Sequence, residues 1–169
     1  MVSFNKVDFD DAARSCQNDG AHARCDAQTD CLFHYIGAMM PTTSPQACME
    51  SFVAALIRKD IDAALPLLTD DVALFYSNGT AIWGKGAFTA AITANWKQLD
   101  RYDYKTVEAI WLAQSDTAAA VIYTFSWSGL AGGKELSGNG RGTRVFRREA
   151  DGWRIAHEHL STGQWKPVA

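Results

Sequence analysis

Residues 41–169 predict an α+β domain in which three helices sit inside a strongly curved antiparallel sheet. Three observations carry this. Apolar residues recur at three- and four-residue steps up to about Leu99, and at two-residue steps from Tyr102 onward. The β half is punctuated by turn signals at Ser128–Gly133 and Asp151-Gly152. Three glycines, Gly138, Gly140 and Gly142, interrupt an otherwise strand-like run, as they do where a strand bulges or bends. Helices followed by a meander of long bent strands form an α+β layer pair, and a sheet curved around helices leaves an apolar pocket at its open end.

The elements follow in order. Ser44 is a helix N-cap with Pro45 at the first helical position, and Met49, Phe52, Val53, Leu56 and Ile57 form one apolar helical face. Arg58-Lys59-Asp60 ends that helix. Asp60 caps a short second helix over Ile61–Leu68, tightened by Pro66. Val72–Ser77 is the first strand, Asn78-Gly79 a turn and Ala81–Trp83 a short partner strand. Gly84-Lys85-Gly86 opens a third helix with Phe88, Ala91, Ile92, Trp96 and Leu99 on one face; it lacks the surroundings of a phosphate-binding loop. Tyr102–Leu112, Ala118–Trp127, Leu136–Arg148 and Gly152–Ser161 are the long strands. Strict alternation puts Trp153, Ile155, His157, His159 and Ser161 on one face of the last, and Arg154, Ala156, Glu158 and Leu160 on the other.

Composition bounds the class of function. The chain is 47% hydrophobic and 21% charged with a net charge of −3, which is ordinary globular composition and offers no basic surface for nucleic acid or anionic membrane. No apolar run has the length of a membrane span and no leader pattern is visible, so the expected compartment is the cytoplasm, where cysteines stay reduced. The acidic excess lies in residues 1–38, where Lys6, Arg14 and Arg24 face Asp8, Asp10, Asp11, Asp19, Asp26 and Asp30. Residues 1–40 are poorly patterned and read as an arm preceding the domain at 41–169, with Met39 and Met40 as an alternative start of translation. Cys16, Cys25, Cys31 and His34 approximate a CCCH zinc-finger spacing one residue short in its last gap, with Tyr35 where the histidine belongs. No metal is therefore assigned, and no cofactor is expected.

From about Gln46 to Ser161 the order of features resembles the cone-shaped, cystatin-type family that includes nuclear transport factor 2, ketosteroid isomerase and the SnoaL-like polyketide cyclases. The matching pieces are Lys59-Asp60-Ile61-Asp62, Leu67-Leu68-Thr69-Asp70-Asp71-Val72, Ile82-Trp83-Gly84-Lys85, and Gly152-Trp153-Arg154-Ile155 followed by His157, His159 and Ser161. The last strand is most similar to the SnoaL-like subgroup. The resemblance implies that Ile155, His157, His159 and Ser161 point into the cavity, with Val121, Tyr123, Phe125 and Trp127 turned inward beside them.

The resemblance also implies where a steroid isomerase's groups would fall: the tyrosine at Phe52, the carboxylate base at Tyr76 and the oxyanion acid at Arg144. Phe52 donates no hydrogen bond, Tyr76 is a poor base at neutral pH and arginine is never a neutral acid. The known steroid isomerisation mechanism is therefore not expected. The polar candidates become Tyr76, Arg144, His157 and His159, over a wall of Phe52, Trp83, Tyr123, Phe125, Trp127, Ile155 and Ser161. Two functions fit. One is an enzyme, a lyase, isomerase or cyclase acting on a small apolar or carbonyl-containing ligand, in which a histidine moves the proton and Arg144 holds an enolate or carboxylate. On that reading Glu158 lies on the wrong face, and Asp103 or Glu108 serves only if its strand turns it inward. The other is a binding or association module without turnover. The pair His157/His159 has the spacing to share a zinc ion but no third ligand. The family also implies a homodimer through the outer sheet face, with Arg154, Ala156, Glu158 and Leu160 contributing.

Overall fold

The computed structural model describes residues 42–163; the Cys16–His34 spacing lies outside them. The first helix, α1 (Pro45–Arg58), begins where the sequence places it: the Ser44 hydroxyl accepts from the Ala47 N–H at 3.1 Å. Its buried side chains are Pro45, Cys48, Met49, Phe52, Ala55 and Leu56, while Ile57 stays 38% exposed at the edge of the apolar face. Asp60 caps α2 (Ile61–Ala64) through a 3.0 Å bond from the Ala63 N–H. Pro66 then tightens the chain into a 3-10 turn over Leu65–Leu67. The helical segment ends one residue before the predicted Leu68, and β1 (Leu68–Phe75) starts four residues earlier than expected.

After β2 (Ala81–Trp83), α3 (Gly84–Lys97) buries Phe88 and Trp96. Lys59, the left-handed C-cap of α1, donates its ammonium to the carbonyl of Trp96 in the last turn of α3 and to that of Leu99 just past it, and so ties the ends of the two helices together. The four long strands are β3 (Arg101–Gln114), β4 (Ala118–Ala131), β5 (Lys134–Glu149) and β6 (Gly152–Thr162). β4 and β5 run on through the predicted Ser128–Gly133 turn, which shrinks to Gly132-Gly133 with φ of 54° and 77°.

The strands form one six-stranded sheet in the order β2-β1-β6-β5-β4-β3. It is antiparallel except that β6 returns beside β1 in the same direction, so the sheet is mixed rather than wholly antiparallel. All three helices belong to one α+β cone, with α1 against β3 and β6 and α3 against β1 and β2. The inner face carries Val72, Leu74, Ile82, Tyr104, Val121, Tyr123, Phe125, Phe146 and Ile155, all buried.

The glycines of β5 do not break the ladder. β4 and β5 pair without a shift from Ala118↔Arg147 to Ala131↔Lys134. Gly138, Gly140 and Gly142 lie opposite Trp127, Phe125 and Tyr123, and a Cβ on them would meet those rings at 2.5, 2.6 and 2.2 Å. They are seats for three aromatic rings laid flat along the inner face.

The departure that matters most for function lies in β6. Phe146 pairs with Ile155, but Val145 pairs with His157, so Ala156 is an extra residue opposite one step of β5. β1 breaks register at the same place, pairing Leu68 with Ile155 and then Ala73 with His157. A bulge of one residue exchanges the faces of everything beyond it.

Candidate functional site

Beyond the bulge, Glu158 and Leu160 point inward, while His157, His159 and Ser161 point outward. This corrects the face assignment drawn from strict alternation and from the resemblance. Its physical cause is the parity change at Ala156. The neighbours agree: Glu158 sits beside buried Leu74, and His157 and His159 beside Ala73 and Phe75 on the outer side. His157 Nδ1 lies 2.8 Å from the Ala73 carbonyl, which fixes that nitrogen as the N–H donor. Phe75 stands edge-on to His157, His159 and Trp83 at centroid distances of 5.1, 5.9 and 5.8 Å. Trp83, expected in the cavity wall, is 65% exposed in this outer cluster. Ser161 pairs with Arg141 on the same outer face.

Inside the cone the structure brings together Arg144, Glu158, Tyr123, Phe52 and Tyr76. Arg144 and Glu158 are direct cross-strand partners. The Arg144 Nε donates to Glu158 Oε1 at 2.5 Å, and the Tyr123 hydroxyl donates to the same oxygen at 2.5 Å. The Arg144 side chain is fully buried and that of Glu158 is 8% exposed. The guanidinium carbon lies 5.2 Å from the Phe52 ring centroid and 5.0 Å from that of Tyr123. A weakly hydrated, delocalised cation between aromatic rings is the form in which a buried positive charge costs least.

The pair is incompletely satisfied. Both Arg144 Nη atoms are buried without a hydrogen-bond partner, and among the described residues no donor reaches Glu158 Oε2. Buried guanidinium N–H groups with no acceptor are costly, and a hydrogen-bond acceptor reaching either Nη atom would relieve that cost.

Tyr76, Tyr102, Tyr104 and Tyr123 surround the carboxylate. Burial, then in most of them the Glu158 charge, pushes each phenol well above its ordinary range, so all four remain neutral hydroxyls. Burial opposes the Arg144 charge, but the Glu158 carboxylate beside it outweighs burial and holds the guanidinium protonated. The Tyr102, Tyr104 and Phe125 rings stack one on the next at 6.4 and 5.8 Å with interplanar angles of 22° and 17°. Trp127 and Ile155 lie on this same inner face. Asp103 pairs with Ser128 on the outer face, and Glu108, a left-handed residue at a β3 bulge, bonds Thr124 there. Among the described residues no group of three His, Cys, Asp or Glu side chains could hold a metal ion.

Glu158 is the functional candidate that alternation concealed. One signal existed: the apolar thread of β6 runs through Trp153 and Ile155 and resumes at Leu160, a change from odd to even positions that requires an inserted residue.

Several solved structures share this architecture. A calcium/calmodulin-dependent protein kinase type II association domain, provisionally so named, from Thiobacillus denitrificans is 26% identical, with 73% of this chain and 98% of that one covered at a TM-score of 0.57. A nuclear transport factor 2-like superfamily protein from Salmonella enterica is 17% identical over 72% of this chain and 89% of that one, TM-score 0.62. A provisionally named dehydratase of the same family from Streptomyces avermitilis is 16% identical over 71% and 94%, TM-score 0.65. No curated protein matches the chain in sequence. No helix among the described residues is long and apolar enough to cross a membrane. The SnoaL-like domain family matches residues 46–164, and the chain belongs to that family.

Proposed function

We propose that the chain binds a small carbonyl compound on the inner face of its sheet and moves a proton on it, in a lyase, isomerase or cyclase step. The observation that carries this reading is the buried Arg144–Glu158 pair with both guanidinium Nη atoms unspent. The substrate oxygen accepts from Arg144, helped by neutral tyrosine hydroxyls. Glu158 Oε2 takes the proton from the adjacent carbon; the C–H electrons form the enolate, whose negative charge Arg144 then holds. Charge is conserved within the site, since Glu158 becomes neutral as the substrate becomes anionic. A dehydratase among the structural neighbours is compatible with such a step. His157 and His159 take no part, because they lie on the outer face.

The test is exchange of the α-protons of α-tetralone in heavy water, followed by NMR. The protein is expected to accelerate exchange, Glu158→Gln to lower it by about 10²- to 10⁴-fold, and His159→Ala to leave it unchanged. Exchange that survives Glu158→Gln and disappears with His159→Ala overturns the assignment.

A second reading, association, is favoured by the uncovered outer face of β3, where Val107, Ile110 and Leu112 are 51, 46 and 60% exposed. The 26% identical association domain supports it. We infer a homodimer through this face, to which Glu158 and Leu160 do not contribute. Sedimentation should give twice the 18.5 kDa chain mass for the wild type and a monomer for Ile110→Asp; a monomeric wild type refutes the interface.

A further inference from the structure

We propose that His157 and His159 form a chelating site for a divalent transition ion, copper(II) above all, on the outer face of the sheet. The bulge at Ala156 creates it, because it turns both imidazoles away from the cone. On one face of a strand, side chains at i and i+2 leave the backbone about 6.6 Å apart. Two Nε2 atoms bound to one ion at about 2.0 Å lie roughly 3 Å from each other. Each ring therefore has to lean about 2 Å toward the other, which a change of side-chain torsion supplies.

Three observations favour ligation. His157 is already held as a ligand would be. Its Nδ1–H donates to the Ala73 carbonyl at 2.8 Å, the outer contact that metal-bound histidines ordinarily make, and this leaves the lone pair on Nε2. Phe75 stands edge-on to both imidazoles, at interplanar angles of 82° and 74°, and gives the pair an apolar wall on its β1 side. The other neighbours on this face are Ala73 from β1, with Val145 and Thr143 opposite His157 and His159 on β5. None of these four side chains can hold an imidazole in an ion pair. His159 is exposed, so an ion reaches it without opening the fold.

The donor set selects the ion. Two neutral imidazoles with no carboxylate suit copper(II), nickel(II) and zinc(II) rather than magnesium or calcium, and among these ions copper(II) binds such donors most tightly. With two protein ligands the remaining positions fall to water, so the bound ion stays open to a further ligand. The site lies across the sheet from Arg144 and Glu158 and is independent of the proton transfer proposed there.

The experiment titrates copper(II) into the full chain by equilibrium dialysis and electron paramagnetic resonance. Thiols are alkylated beforehand so that Cys16, Cys25 and Cys31 neither take the ion nor reduce it. One ion per chain should bind tightly, with hyperfine splitting from two imidazole nitrogens, and excess magnesium should not displace it. His157→Ala and His159→Ala should each weaken it at least tenfold, because a chelate needs both rings. His159→Ala trims an exposed side chain and carries the test even if His157→Ala fails to fold. Copper that binds His159→Ala as tightly as the wild type, or that magnesium displaces, overturns the site. Half the stoichiometry at unchanged affinity in His159→Ala would mean two separate single-histidine contacts and overturns chelation.

Discussion

Glu158→Ala is expected to cost about 3–5 kcal/mol, because it leaves the fully buried Arg144 guanidinium without its counter-charge. Arg144→Met should cost a similar amount by stranding the carboxylate. The double substitution Arg144→Met/Glu158→Leu should recover most of the loss and lie within about 1–2 kcal/mol of the wild type, since it also removes the desolvation of both ions. Urea denaturation measures all three: the midpoint should fall for each single variant and return for the double, with an unchanged slope. Additive losses in the double variant would mean that the two side chains contribute through packing alone. The expected pattern also bears on function. A pair that contributes little net stability but costs much to break is one whose retention stability does not explain.

Gly140→Ala should be nearly as damaging, by about 3 kcal/mol, at the upper end of the range for overpacking. Its Cβ would lie 2.1 Å from the Ser161 carbonyl oxygen and 2.6 Å from the Phe125 ring, and the first of these is backbone that cannot rotate away. Gly86→Ala is the matched control. It sits in α3 with nothing within 4 Å of the added methyl, so it should gain about 0.5–1 kcal/mol from restricting the unfolded chain. Thermal unfolding of the two proteins should therefore shift in opposite directions; a loss at both would implicate glycine itself rather than its ring contacts.

Much of the scaffold was legible in the chain. Ser44-Pro45 and Asp60 announce helix starts because a cap is a local arrangement of a few residues. The odd-numbered aromatics of β4 announce an inner face because alternation needs no knowledge of the partner strand. Pairing information was out of reach. Gly138, Gly140 and Gly142 read as breaks when taken alone and as ring seats only once Trp127, Phe125 and Tyr123 lie opposite them. The candidate site was half legible for the same reason. Arg144, Tyr76, Phe52 and Tyr123 fall around the inner centre, but Glu158 exchanged places with its neighbours because the register of β6 is set jointly by β1 and β5. The Leu160 parity was the local trace of that non-local constraint.

The bulge at Ala156 also makes the chemistry of this strand sensitive to insertion and deletion rather than to substitution. Removing one residue at that position would rotate the rest of β6 by half a turn, carrying two imidazoles into the cone and the carboxylate out of it. An alignment that crosses this point without a gap equates inner residues with outer ones wherever the other protein lacks the extra residue. A single codon gained or lost here exchanges a carboxylate interior for a histidine one, moving only the side chains of β6 beyond the bulge to the opposite face.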